Sequence, residues 1–222
     1  MPPILFRDDR FVVLDKPAGL AVHPGPRGGP SVEDWFPLLS RRRDGPWLVH
    51  RLDADTSGCL LIALRRAALH AAQAEFAANR AQKTYWAVVQ GVPPVASGRI
   101  DAPLQRQNTR QGWRIVADQA GQAAVTDWRL LGSTDDSAWL ELTPHTGRTH
   151  QVRVHCALLG HPVIGDAVYG GERGPLHLLA RALRLNLTPP VSATALPPAH
   201  MMAALRSCGY RCPPSVIPAK AG

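Results

Sequence analysis

His50, Arg51, Asp53 and Asp55 crowd into HRLDADTSG, residues 50–58, between the apolar runs WLV and CLLIAL. A loop anchored between two buried segments is where a scaffold usually places reactive groups. Arg51 lies two residues from Asp53, and Arg153 is a second available cation. Either guanidinium would hold the carboxylate ionised at neutral pH and make Asp53 the reactive group of the chain. Asp also routinely caps turns such as DTSG with its own side chain. Spacing alone leaves both roles open. HTGRTHQVRVH, residues 145–155, gathers His145, Arg148, His150, Arg153 and His155. Three histidines invite a metal reading, but His150 and His155 are five apart, about 140° round a helix, where a helical zinc pair needs i, i+4. No carboxylate or cysteine completes a set at ligand spacing, so neither a metal nor a cofactor is expected. Arg153 falls one turn into an expected helix, within reach of a carboxylate. Tyr85 sits on an expected strand and could present its ring to a pocket, although such a phenol more often packs in a core.

Hydrophobic periodicity supplies the supports for these groups. ILF and FVVL read as a hairpin reversed at Asp8-Asp9, and CLLIAL as a buried strand. SVEDWFPLLS carries a capping-box pattern, Ser31 with Asp34, that opens a short helix. Residues 65–80 are Ala-rich with Leu69, Ala72 and Phe76 at helical spacing. In KTYWAVVQG, Lys83, Tyr85, Ala87 and Val89 share one face of a strand. GQAAVTDWRLLG and AWLELTPHTG read as two more strands. THQVRVHCALLGHP reads as a helix capped by Thr149 and closed by Gly160. LHLLARALRLNL is apolar enough for either a strand or a helix. Elements of both kinds alternate without the regularity of a doubly wound sheet, which gives an α+β class: a mixed, largely antiparallel sheet with flanking helices.

The 222 residues carry 25 Lys+Arg against 17 Asp+Glu, a formal charge of +8. Such a surface suits a polyanionic partner. Only Lys16, Lys83 and Lys220 are lysines, and arginine's planar fork suits phosphates and stacked bases. Hydrophobic residues at 45% exclude a wholly disordered chain. No stretch reaches the roughly 18 uncharged apolar residues of a membrane span, and MPPILFRDDR lacks the features of a signal peptide, so a cytoplasmic protein is expected. HPGPRGG lacks the GK[ST] ending of a phosphate loop, and no G-x-S-x-G elbow is present.

Five blocks stand in a telling order: DKPAGLAVHPG (15–25), HRLDADTSG (50–58), KTYWAVVQG (83–91), GRTHQVRVH with GHPVIGDAVYG (147–155 and 160–170), and LHLLARALRL (176–185). Over about 170 residues they resemble the RluA-type family of RNA pseudouridine synthases. The resemblance implies a single pseudouridine synthase-like catalytic domain over residues 1–189. Residues 190–222 would be a Pro/Ala-rich extension whose last ten residues are poorly ordered, and the extra N-terminal RNA-binding domain of longer relatives would be absent. It implies that Asp53 is the catalytic carboxylate, Tyr85 the aromatic that stacks on the target uracil, and Arg153 the basic partner of Asp53. Arg51 would replace the extruded nucleotide, with His50, Lys83 and Arg148 contacting RNA. The substrate would be transfer RNA, ribosomal RNA or both. Cys59 stands where an aliphatic residue is usual, a change of packing only.

The implied chemistry suits these residue types. The bond from C1′ to N1 breaks, the uracil turns, and C5 bonds to C1′; no atoms are gained, and the reaction calls for no cofactor. Extruding the base costs a few kcal/mol and needs an aromatic-lined pocket. Two rivals remain. A base-excising glycosylase would need two carboxylates roughly 5–9.5 Å apart, for which Asp55 is the only obvious second acid. A non-enzymatic RNA-binding module would keep the fold without using Asp53. A monomer without protein or membrane partners is expected.

Overall fold

The most apolar runs of the sequence pair with each other. The computed structural model describes residues 1–25, 28–42, 44–110, 112–171 and 173–212. Its strands are β1 (Ile4–Arg7), β2 (Phe11–Lys16), β3 (Trp47–Leu48), β4 (Ser57–Ala63), β5 (Gln82–Gln90), β6 (Ser97–Asp101), β7 (Leu104–Thr109), β8 (Gly112–Ala117), β9 (Val125–Ser133), β10 (Ser137–Pro144), β11 (Leu178–Leu185) and β12 (Val191–Thr194). Its helices are α1 (Phe36–Leu39), α2 (Arg66–Ala77), α3 (Gln151–Leu158) and α4 (Ala199–Ser207). β2 and β4 lie antiparallel from Phe11↔Ala63 to Lys16↔Gly58. Alternation buries both their faces: Phe11, Val13, Leu61 and Ala63 enter one core, and Val12, Leu14, Leu60 and Ile62 enter another.

Among the described residues the main sheet runs β1-β2-β4-β11-β5-β10-β9-β6, with β12 on β11 and β3 on β4. All pairs are antiparallel except β4 with β11, so the α+β class read from the sequence is the one observed. β7 and β8 form a separate two-stranded ribbon. The parallel contact explains a glycine. Gly58 has φ +106, and a Cβ there would lie 2.3 Å from the Ala180 carbonyl oxygen, so only glycine lets β4 approach β11 this closely. A third core joins Ala87 and Val89 of β5, Leu140 and Leu142 of β10, and Val152 and Cys156 of α3. It fixes α3 beside the open face of β5. Among the described residues no helix is long and apolar enough to cross a membrane.

The structure departs from the sequence reading at several places. LHLLARALRL is a strand, β11, because it fits between β4 and β5 at the middle of the sheet. Residues 92–120, for which the pattern gave no expectation, hold β6, β7 and β8. The first core continues past residue 189. Val191 and Ala193 of β12, Met201 and Leu205 of α4, and Tyr210 all belong to the first core. Alternation in β12 and the i, i+4 pair in α4 bury an apolar face that the Pro/Ala-rich composition had concealed. Residues 213–222, expected to be poorly ordered, lie outside the described residues. The N-cap of α3 is His150, in the left-handed conformation, and not Thr149.

Candidate active site

Asp53 rides the turn between β3 and β4. The turn is closed by backbone, Thr56 N–H donating to the Asp53 carbonyl at 3.1 Å, which leaves the carboxylate free of the capping duty that Asp often takes. Lys16 secures the same turn from beneath. Its side chain is fully buried, and Nζ donates to the carbonyls of Pro17 (2.9 Å), Leu20 (2.8 Å) and Ala54 (2.7 Å). Burial pushes Lys16 down to about 8, against the pull of Asp55 and Asp53. The lysine of DKPAGL is therefore a peg for the Asp53 loop.

Arg153 faces two carboxylates. It donates through Nε and Nη2 to Asp166 at 2.7 and 2.8 Å, while Nη1 stands 3.7 Å from Asp53 Oδ2. His150 Nε2 approaches the same Asp53 oxygen to 3.8 Å. Side-chain exposure is 20% for Asp53, 7% for Arg153 and 0% for Asp166, so the cluster is dry on one side and open on the other. Burial would raise the Asp166 carboxyl, but the hydrogen bonds and charge of Arg153 with two backbone N–H groups bring it below its ordinary range. Gly165, φ +80, lets the turn before Asp166 pass Pro175, whose carbonyl oxygen would lie 2.2 Å from an added Cβ.

Asp53, Tyr85, Lys83, Arg148, His150 and Arg153 share the wall of one cavity of about 280 Å³, near the lower end of small-molecule sites at roughly 300 Å³. Tyr85 enters from β5; burial, with the charge of Asp53 adding to it, pushes its phenol pKa up, and the ring stays neutral. Lys83 Nζ donates to the Thr146 carbonyl at 2.8 Å, and burial first, then Arg148, lowers it to about 8. Arg148 Nε donates to the Ala123 carbonyl at 3.0 Å, and its backbone N–H to Gln151 Oε1 at 3.0 Å. Gln151 in turn donates to Val125 and Thr126, tying the start of α3 to β9.

Two sequence-predicted residues behave differently. His50 was expected to contact RNA, but its Nε2 accepts the Leu61 N–H at 3.0 Å and its ring stacks on Phe76 with centroids 4.9 Å apart. Burial first, then Lys83, lowers it to about 4, so His50 is a neutral wall of the cavity and no cation. Arg51 is exposed and makes no ion pair with Asp53; it stands on the rim, bordering two further depressions with Trp113.

Sequence reasoning missed Asp166, Tyr169 and the part played by Lys16. Asp55, the only second acid visible in the sequence, is exposed; the acid beside the site is Asp166. It lies thirteen residues from Arg153, beyond any helical or strand period, and only its place in GHPVIGDAVYG marked it.

Comparisons with known proteins give the family. A family model described as RNA pseudouridylate synthase matches residues 10–158, well over half of the chain. An uncharacterized RNA pseudouridine synthase of Zymomonas mobilis is 43% identical over 174 residues, covering 77% of this chain and 79% of that protein. The ribosomal large subunit pseudouridine synthase D of the same organism is 38% identical over 189 residues, covering 81% of this chain but 59% of its own length. The solved structure of human RNA pseudouridylate synthase domain containing 4 shows the same fold, with a TM-score of 0.79 at 29% identity, covering 95% of this chain and 94% of that one. The chain belongs to the RNA pseudouridylate synthase family.

Proposed function

We propose that the protein isomerises uridine to pseudouridine within an RNA strand, with Asp53 as the catalytic carboxylate. One observation carries this reading: among the described residues the Asp53 carboxylate has no hydrogen-bond donor, yet it opens on a cavity that it shares with Tyr85 and Arg153. The target nucleotide leaves its stack and enters the cavity. Tyr85 stacks on the uracil, and the neutral His50–Phe76 wall limits its tilt. Asp53 acts at the sugar, either bonding to C1′ or taking the 2′ proton, as the C1′–N1 bond breaks. The freed uracil turns, C5 bonds to C1′, and the proton on C5 is released while N1 gains one. Arg153 orients the carboxylate. Arg51, unpaired on the rim, fills the gap left by the extruded base, and Lys83 and Arg148 hold the flanking phosphates.

Relatives named as ribosomal large subunit pseudouridine synthases make ribosomal RNA the first substrate to test, with transfer RNA second. The glycosylase alternative loses support because Asp166 is occupied by Arg153 and two backbone N–H groups, leaving no second acid to share the work. The test uses RNA carrying tritium at uracil C5. The wild-type protein releases label and leaves pseudouridine in the strand, and Asp53→Asn stops release while still binding RNA. Free uracil as the product, or unchanged release by Asp53→Asn, overturns the reading. We also propose that the protein acts as a monomer, which sedimentation in the presence and absence of RNA checks.

A further inference from the structure

His150 holds φ +54 and ψ 14, a conformation that costs a non-glycine residue about 1–3 kcal/mol and persists only where the surroundings impose it. The ring is gripped from three directions. Trp113 lies at 5.3 Å between centroids with planes 30° apart. Tyr169 meets it edge-on at 5.7 Å, and the Tyr169 hydroxyl stands 2.9 Å from Nδ1.

That hydroxyl decides which ring nitrogen carries the proton. Tyr169 Oη already accepts the Ile115 N–H at 3.1 Å. A phenol has one hydrogen to give, and His150 Nδ1 is the acceptor in its reach; with that donation Nδ1 is the bare nitrogen. The single N–H of a neutral imidazole falls on Nε2, the atom 3.8 Å from Asp53 Oδ2. Burial favours the neutral ring over the pull of Asp53.

We propose that His150 is a positioning residue for Asp53: Tyr169 fixes it as the Nε2–H tautomer, and that N–H steers the carboxylate from the side that Arg153 does not cover. Arg153 commits two of its nitrogens to Asp166 and meets Asp53 only with the third, so a second director has work to do. The β7–β8 ribbon sets the director, through the Trp113 ring and the Ile115 backbone. The inference rests on the proposed synthase reading and deepens it.

Two substitutions separate the role from mere packing. Asn tolerates left-handed φ better than other non-glycine residues, so His150→Asn keeps the turn but ends at the level of Nδ1. His150→Gln carries an amide N–H out to the level of Nε2. We expect His150→Asn to lower kcat about tenfold with KM within about twofold, and His150→Gln to retain at least about half of wild-type kcat. Tyr169→Phe lowers kcat in the wild-type background and adds nothing to His150→Asn. Equal losses in Asn and Gln, no loss in Asn, or additivity with Tyr169→Phe overturns the proposal. Long-range proton–nitrogen spectra of the His150 ring judge it without any activity: the Nε2–H tautomer is expected in the wild type and a shift toward a mixture in Tyr169→Phe, whereas Nδ1–H in the wild type overturns it. A wild-type protein that makes no pseudouridine defeats the synthase reading alone, since the spectra still decide the tautomer.

Discussion

Asp166 and Asp53 share one guanidinium and differ in everything else. A carboxylate offers about four acceptor sites. Asp166 has them filled by two Arg153 nitrogens at 2.7 and 2.8 Å and by the N–H groups of Val168 and Tyr169 at 3.0 and 3.1 Å. Among the described residues Asp53 has none filled; its neighbours, Arg153 Nη1 and His150 Nε2, stop at 3.7 and 3.8 Å. Saturation makes the first carboxylate part of the scaffold. Under-coordination leaves the second with lone pairs pointed at a cavity and a cation near enough to aim them. The type of residue is the same, and the count of donors decides its role.

Substitution should therefore split the two acids by property. Asp166→Asn removes the hydrogen-bonded partner of a buried pair and leaves Arg153 with Asp53 alone at 3.7 Å, which costs about 3 kcal/mol in denaturant unfolding. Asp53→Asn should change stability by less than about 1 kcal/mol while lowering turnover on the order of 10³-fold or more. Similar losses of stability at both positions break the contrast. Lys16→Met comes next. It strands three buried carbonyls under the open acid and should cost about 2 kcal/mol, with turnover falling more than RNA affinity. The pH dependence sharpens this case. Lys16 falls from 10.5 unfolded to about 8 folded, so between these values the unfolded chain binds more protons and stability from this group rises with pH. Below pH 8 the burial cost is fully present. The stability gap between wild type and Lys16→Met should widen from pH 8 towards 10.5; a gap that narrows contradicts a buried, charged peg.

The contrast between the two acids also marks what could be read from the sequence. Pattern alone set Asp53 on a turn between apolar runs and Tyr85 with Lys83 on alternate positions of one strand; their expected roles came only from the resemblance of the motifs that hold them. The β2–β4 core was legible from pattern as well, since FVVL and CLLIA announce buried strands. Asp166, Tyr169 and Lys16 were not, because each has a partner that ties it to the site from far along the chain, Arg153 for Asp166, His150 for Tyr169 and Ala54 for Lys16, and no local period connects them. β12 and α4 hid behind a Pro/Ala-rich composition that looks like a tail until Met201 and Leu205 are seen in the core. The sequence did not reveal how His50 is held: the backbone N–H of Leu61 aimed at its ring makes it an acceptor, a partner that no local pattern points to.

The smallest expected effect tests the open side of the contrast from its rim. Arg51 neighbours Asp53 in sequence as Arg153 does in space, yet Arg51 is exposed and unpaired with either acid, whereas Arg153 is buried between the two. If cations on the closed side serve the fold and those on the open side serve the polyanion, Arg51→Ala should leave stability within about 0.5 kcal/mol. It should weaken RNA binding while leaving the slope of log affinity against log salt nearly unchanged, because a guanidinium that takes the place of a base neutralises no phosphate. Titrating wild type and Arg51→Ala against one RNA at several salt concentrations reads that slope directly. A slope reduced by about 1 means that Arg51 contacts a phosphate instead of filling the place of the extruded base. An unchanged slope with unchanged affinity removes Arg51 from the RNA surface and leaves the open side of Asp53 to Arg148 and Lys83.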